Sequence, residues 1–168
     1  MALWRLYYHL VWSTHERLPL ITANMEPILY GYMIGKAVHN GAIVHAIGGI
    51  ETHVHVVASI PPKIAISKFV KDAKGASSHH INHGPRKFPG TFAWQRGYGV
   101  FSFGEKAMPD TVAYVRNQKE HHRRVSSLIA LLERDEDEDD GPMLWQNGEA
   151  IKEFPPLTLT TFDDDNNE

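Results

Sequence analysis

The nine residues Thr52–Ile60 read Thr-His-Val-His-Val-Val-Ala-Ser-Ile, and two prolines follow them directly. This pattern predicts a β-strand that ends at the prolines, because proline has no backbone N–H to give to a sheet. A second apolar segment, Ala42–Gly48, lies three residues before it. We therefore expect these two segments to form a β-hairpin.

The segments on either side of this hairpin predict helices and further strands. Leu3–Ser13 is rich in β-branched and aromatic residues, which favours a buried strand. The other predicted elements are a helix from Thr22 or Asn24 to about Asn40, a basic helix from about Ile64 to Asn82, strands over 91–95 and 99–103, and a last helix from Pro109 toward Leu132. This order predicts an α+β fold, a ferredoxin-like (RRM-like) antiparallel sheet with helices on one face, plus an extra strand and a C-terminal helix.

The charged residues divide the chain into two parts. Residues 1–132 contain 15 Lys and Arg against 7 Asp and Glu, whereas residues 133–168 contain 2 against 13. This contrast predicts one domain over 1–132 and an acidic C-terminal tail over 133–168 that is partly ordered at most. A basic body of this kind could bind a polyanion or could simply have an ordinary solvated surface.

The composition also excludes several classes of protein. The chain has no cysteine, which excludes a disulfide scaffold, a zinc ribbon, an iron–sulfur site and a thiol nucleophile. Its apolar stretches are shorter than the ~18 residues of a membrane span, and the N-terminal segment lacks a small-residue cleavage site. We expect a cytoplasmic protein that makes no contact with a membrane.

The histidines of the predicted strand are the first candidates for chemistry. Side chains alternate along a strand, so His53 and His55 point to the same side, about 7 Å apart along it. Two such imidazoles can bind one divalent ion, although a His-x-His pattern also arises without function. A histidine-triad hydrolase would need a third histidine at position 57, which is valine, and a 2H phosphoesterase would need a second copy of its motif. Both classes are excluded.

The last predicted helix carries the second group of candidates. At helical spacing, Tyr114, Gln118 and His121 share one face. A buried tyrosine with a satisfied hydroxyl is the ordinary explanation for such a position. The alternative makes Tyr114 a nucleophile, which needs a nearby cation because the pKa of a free phenol is about 10. Gln118, one turn further on, could supply a neutral oxygen ligand to that cation.

Five segments, in this order along the chain, resemble the HUH-type single-tyrosine insertion-sequence transposases and their relatives at repetitive palindromic elements. The resemblance covers roughly residues 3–123, and it depends on a specific set of motifs rather than on one of them. The segments are Tyr8–Trp12, His53–Val57 (the His-hydrophobic-His motif), Lys74–Ser78, Trp94–Ser102 and Tyr114–Gln118.

The resemblance implies a role for each matching residue. His53 and His55 correspond to the metal-binding histidines, Gln118 to the additional metal ligand and Tyr114 to the nucleophile, which makes the last helix the catalytic helix. The expected ion is Mg²⁺ or Mn²⁺. No nucleotide cofactor is expected, because the energy of the phosphodiester bond is retained in the covalent link to the enzyme.

The resemblance also implies a substrate and an assembly. Members of the family cleave and rejoin single-stranded DNA at hairpin-bearing element ends, through a 5′-phosphotyrosine intermediate. They are homodimers whose active sites can be shared between subunits. Basic residues on and after the second helix are the candidates for contacts to the DNA backbone: Lys63, Lys68, Lys71, Lys74, Arg86, Lys87 and Arg96.

Two other functions remain open from the sequence. A domesticated relative that processes repetitive palindromes without moving itself would carry the same catalytic residues. A nucleic-acid-binding module of the same fold without catalysis would not need Tyr114 or Gln118. Tyr98 is the rival to Tyr114 as nucleophile, and its place in a glycine-rich segment favours a packing role instead.

Overall fold

The computed structural model describes residues 3–120, together with 144–146 and 149–151. These residues fall into two units, which are considered separately. In the smaller unit, Leu144–Gln146 (β5) and Glu149–Ile151 (β6) form an antiparallel pair. The predicted boundary between residues 132 and 133 lies outside the described residues.

The larger unit is a four-stranded antiparallel sheet with three α-helices. The strand order is β2-β3-β1-β4. The elements are β1 (Tyr7–Ser13), α1 (Glu26–His39), β2 (Ile43–Ile50), β3 (His53–Ser59), α2 (Ile66–His83), β4 (Gly99–Phe103) and α3 (Met108–Arg116), with short 3-10 turns at His15–Arg17 and Glu105–Ala107. The predicted α+β, ferredoxin-like order is confirmed, with α3 as the added C-terminal helix.

The two faces of the sheet have different partners. One face places Leu10, Trp12 and Val56 in the main core, where α1 and α2 cover them. On the other face Ala46 and Val57 pack against Val115 of α3. Because side chains alternate along a strand, the odd-numbered histidines of β1 and β3 lie on the α3 face.

A glycine allows α3 to lie close to the sheet. A Cβ atom at Gly48 of β2 would clash with the backbone carbonyl of Val115, which is itself fully buried. No side chain fits between the strand and the helix at this point. The height of α3 above the sheet, and therefore the position of its side chains, depends on this contact.

We expect Gly48→Ala to lower the free energy of unfolding by about 1–3 kcal/mol, since backbone atoms must move to accept the methyl group. The matched control is Gly35→Ala in α1, where a Cβ meets no heavy atom within 4 Å. That change should stabilise the protein by up to about 1 kcal/mol. Urea unfolding of the two variants measures both effects, and equal stabilities would contradict the packing.

Two predicted elements differ from the structure. The strand expected over 91–95 is wrong, because this segment makes only one bridge, between Trp94 and Thr14. Two backbone hydrogen bonds, from His15 N–H to the Ala93 carbonyl and from Gln95 N–H to the Ser13 carbonyl, flank that bridge. A side chain holds the preceding residue: Asn82 donates from Nδ2 to the carbonyl of Phe92 and accepts from its N–H. The last helix, expected to run toward residue 132, is interrupted after Arg116 by a turn at Asn117, and residues 118–120 are helical again. Its predicted part beyond residue 120 lies outside the described residues.

Within the described residues, no helix is long and apolar enough to cross a membrane.

Candidate active site on the α3 face

The two strand histidines lie side by side under α3. His53 and His55 of β3 are both buried, and their ring centroids are 5.0 Å apart with the planes at 76°. The Thr52 hydroxyl is 3.1 Å from Nδ1 of His53. With Nδ1 of His53 at that hydroxyl, Nε2 is the nitrogen that could bind a metal.

Tyr114 contacts His55 from α3. Its ring lies 5.7 Å from the ring of His55, with the planes at 90°. The neighbouring Val115 is buried against Val57 and Ala46, so α3 is held on the sheet directly beside the tyrosine. Tyr114 and His55 of this contact belong to the same chain.

Gln118 lies just after the turn that ends α3. It is 1% exposed, and its Nε2 donates to the backbone carbonyl of Tyr114 over 3.3 Å. Among the described residues, its Oε1 is a buried oxygen with no hydrogen-bond partner. An unsatisfied buried amide oxygen is costly unless something else binds it.

This donor set fits a divalent cation. Two imidazoles and one amide oxygen are acceptable ligands for Mg²⁺ or Mn²⁺. A bound ion would also satisfy the buried Oε1 of Gln118. The described residues contain no group of three or more His, Cys, Asp or Glu that could hold a metal, so the amide is needed to complete the set. His121 and His122 lie outside the described residues.

A further member of the site is His9 of β1, to which the sequence patterns assign no role. It is 4% exposed, and its Nε2 lies 2.8 Å from Nδ1 of His55. Its ring is stacked on that of His55 at 5.1 Å and meets that of Tyr114 edge-on at 5.8 Å. Burial lowers the pKa of His9 to about 4, so the ring is neutral at neutral pH. His9 stands two residues after Tyr7, the first residue of β1, and this spacing places both side chains on one face of the strand. Whether that face also carries His55 depends on how β1 pairs with β3.

Most of the predicted DNA contacts lie elsewhere. The exposed basic residues are on α2, just before it, or in the loops that follow it: Lys63, Lys68, Lys71, Arg86, Lys87 and Arg96. Because α2 covers the opposite face of the sheet, these side chains are not beside Tyr114. Lys68 pairs with Asp72. Lys74 is partly buried and donates to the carbonyls of Gln95 and Gly97, which ties the loop before β4 to α2.

The rival tyrosine is separate from the histidines. Tyr98 is partly buried and packs against the main core, which lies on the α1 and α2 side of the sheet. Of the two tyrosines, only Tyr114 has a ring contact with His55.

The family model of the IS200-like transposases matches residues 2–118. That match begins before β1 and ends at Gln118, so it includes all of the side chains described above. The chain belongs to the IS200-like transposase family. A curated relative, the ISDra2 transposase TnpA of Deinococcus radiodurans, is 27% identical over 119 residues, which is 68% of this chain and 85% of the relative.

Two solved structures resemble this member of the family. One is a Deinococcus radiodurans R1 protein described as a transposase, 27% identical, with a TM-score of 0.54 over 70% of this chain and 93% of that one. The other is a REP-associated tyrosine transposase bound to a REP hairpin, with a TM-score of 0.56 over 74% of this chain and 76% of that one. The second is 14% identical and supports the fold alone.

Proposed function

We propose that this transposase cleaves and rejoins single-stranded DNA at hairpin-bearing element ends, with Tyr114 as the nucleophile. The observation that carries the proposal is the meeting of Tyr114 with buried His55 of the same chain, beside a glutamine whose amide oxygen lacks a partner. The REP hairpin bound to a structure of the same fold agrees with a hairpin substrate.

The proposed reaction is a transesterification. The Tyr114 hydroxyl loses its proton and attacks the scissile phosphorus, the bond to the 3′ oxygen breaks, and the products are a 5′-phosphotyrosine and a free 3′-hydroxyl. A divalent cation held by His53, His55 and Gln118 would supply positive charge to the phosphate. Attack by a 3′-hydroxyl on the phosphotyrosine then rejoins a strand and restores Tyr114, so no nucleotide cofactor is used.

The surroundings of Tyr114 hold its side chain in place, which supports the proposed role as nucleophile. Its ring is placed edge-on against both His55 and His9, and its helix is fixed by the buried Val115. A nucleophile held in one orientation loses little freedom when it attacks, which lowers the barrier. The family resemblance implies homodimers with shared sites, whereas this chain brings its own tyrosine to its own histidine. We therefore include in the proposal that one chain supplies a whole site.

The test of this function uses single-stranded oligonucleotides from the DNA that flanks the coding region. With Mn²⁺ present, we expect a protein–DNA adduct that survives denaturing electrophoresis, together with a released strand that ends in a 3′-hydroxyl. The adduct should form on hairpin-bearing strands and not on their fully paired duplexes. Cleavage that leaves no covalent adduct would contradict the proposal.

The basic residues around α2 are proposed to bind the DNA backbone at positions distant from the cleavage point. If all six exposed side chains contact phosphates, the logarithm of the binding constant should fall with the logarithm of the salt concentration with a slope of about −4. Deleting residues 133–168 should leave hairpin binding equal or stronger, because the tail has 13 acidic residues that compete with DNA. Fluorescence anisotropy measures both. Weaker binding by the truncated protein, with its circular dichroism unchanged, would contradict the competing role.

A further inference from the structure

His9 of β1 is hydrogen-bonded to His55 of the neighbouring strand β3. Its Nε2 is 2.8 Å from Nδ1 of His55, and both side chains are buried. The two residues are not directly opposite each other, since His9 is level with Val57 and Val11 is level with His55. The contact is therefore diagonal, and it takes an imidazole on each strand to span it.

A hydrogen bond between two neutral imidazoles needs one donor and one acceptor. If His55 accepted at Nδ1, its own proton would be on Nε2, and a protonated nitrogen cannot bind a metal. If His55 donates from Nδ1, its Nε2 carries the lone pair that a metal requires. Metal binding by His55 is thus possible in only one of the two arrangements, the one in which His9 accepts.

We propose that His9 is a positioning residue for the metal site, accepting the Nδ1 proton of His55 and so fixing both the tautomer and the ring orientation of that ligand. This inference rests on the metal site of the proposed function and adds to it a residue outside the ligand set. Partners of this kind, which hold the second nitrogen of a histidine ligand, commonly change metal affinity by about 10–100-fold when they are removed.

The two histidine ligands are then held in different ways. Nδ1 of His53 lies 3.1 Å from the hydroxyl of Thr52, its neighbour in the chain. His9 also borders Tyr114, at 5.8 Å between ring centroids, so the same ring touches the ligand and the nucleophile. A change at His9 should therefore affect His55 and leave the contact of His53 in place.

The test compares His9→Leu, which removes the acceptor, with His9→Gln, which can return an acceptor oxygen. The matched control is His45→Leu, since His45 of β2 is another histidine whose Nε2 is hydrogen-bonded, in its case to the Ser59 hydroxyl at 2.7 Å. Mn²⁺ binding to the full-length protein without DNA is measured by electron paramagnetic resonance. Imidazole tautomers are read from long-range ¹H–¹⁵N correlation spectra of the metal-free protein, with His55 assigned from the spectrum of His55→Ala.

We expect the metal-free wild type to show His55 protonated on Nδ1. His9→Leu should weaken Mn²⁺ binding by about 10–100-fold. His9→Gln should bind within a few-fold of wild type, and His45→Leu should bind as wild type does. A wild-type His55 protonated on Nε2 would overturn the inference, and this result needs no variant to fold. A folded His9→Leu protein that binds Mn²⁺ with wild-type affinity would also overturn the inference. If His53→Ala still lost Mn²⁺ in the same experiment, the metal site itself would be retained. Failure of the wild type to bind Mn²⁺ would overturn the metal site and this inference together.

Discussion

Tyr114→Phe is expected to abolish the covalent protein–DNA adduct completely while leaving the fold and hairpin affinity unchanged. The substitution removes one oxygen atom and keeps the ring that packs against His9 and His55. Without the hydroxyl, no residue on α3 can form the phosphotyrosine bond. Denaturing electrophoresis of protein incubated with labelled single-stranded DNA measures the adduct, and anisotropy measures the affinity.

The control for this result is Tyr98→Phe. Tyr98 packs against the main core, on the side of the sheet that α1 and α2 cover, so its hydroxyl is not beside His55. The adduct should form at the wild-type rate within a few-fold. If Tyr98→Phe lost the adduct and Tyr114→Phe kept it, the two tyrosines would have to exchange roles.

His53→Ala and His55→Ala should each lower the cleavage rate by about 10²–10³-fold or more, through loss of the charge that stabilises the transition state. Hairpin binding should stay within a few-fold of wild type, since phosphate contacts by basic residues supply most of the affinity. His15→Ala is the matched control, because His15 is an exposed histidine on the turn after β1. Cleavage that persisted in the double variant with all metal chelated would rule out the assignment.

The same variants test whether one chain supplies a whole site. In the structure Tyr114 lies on His55 of its own chain. A mixture of Tyr114→Phe and His53→Ala protein should then stay inactive, because neither chain has both groups. Recovery of about a quarter or more of the wild-type cleavage on mixing would show that tyrosine and histidines come from different subunits.

The sequence was sufficient for those features that depend on local periodicity. Alternation along one strand placed His53 and His55 on the same side, and helical spacing placed Tyr114 and Gln118 near one another. Each strand and helix was predicted from its own residue pattern, and the order of these elements then indicated the ferredoxin-like fold. These properties belong to single elements, so neighbouring residues determine them.

The features that sequence reasoning missed depend on contacts between distant segments. His9 meets His55 only because β1 lies beside β3 in the sheet, a contact between residues 46 positions apart in the chain. Segment 91–95 has the composition of a strand, but the Asn82 side chain takes both backbone groups of Phe92. The turn at Asn117 likewise interrupts a helix that periodicity alone would continue without a break, and Nε2 of Gln118 beyond it donates to the carbonyl of Tyr114.

The central claim is that Tyr114 attacks the DNA. The most direct measurement is mass spectrometry of the adduct, trapped on a single-stranded hairpin substrate with Mn²⁺ and then digested with protease and nuclease. We expect a nucleotide-bearing peptide whose fragment ions place the modification on Tyr114. A modification on Tyr98, or on any residue other than Tyr114, would contradict it.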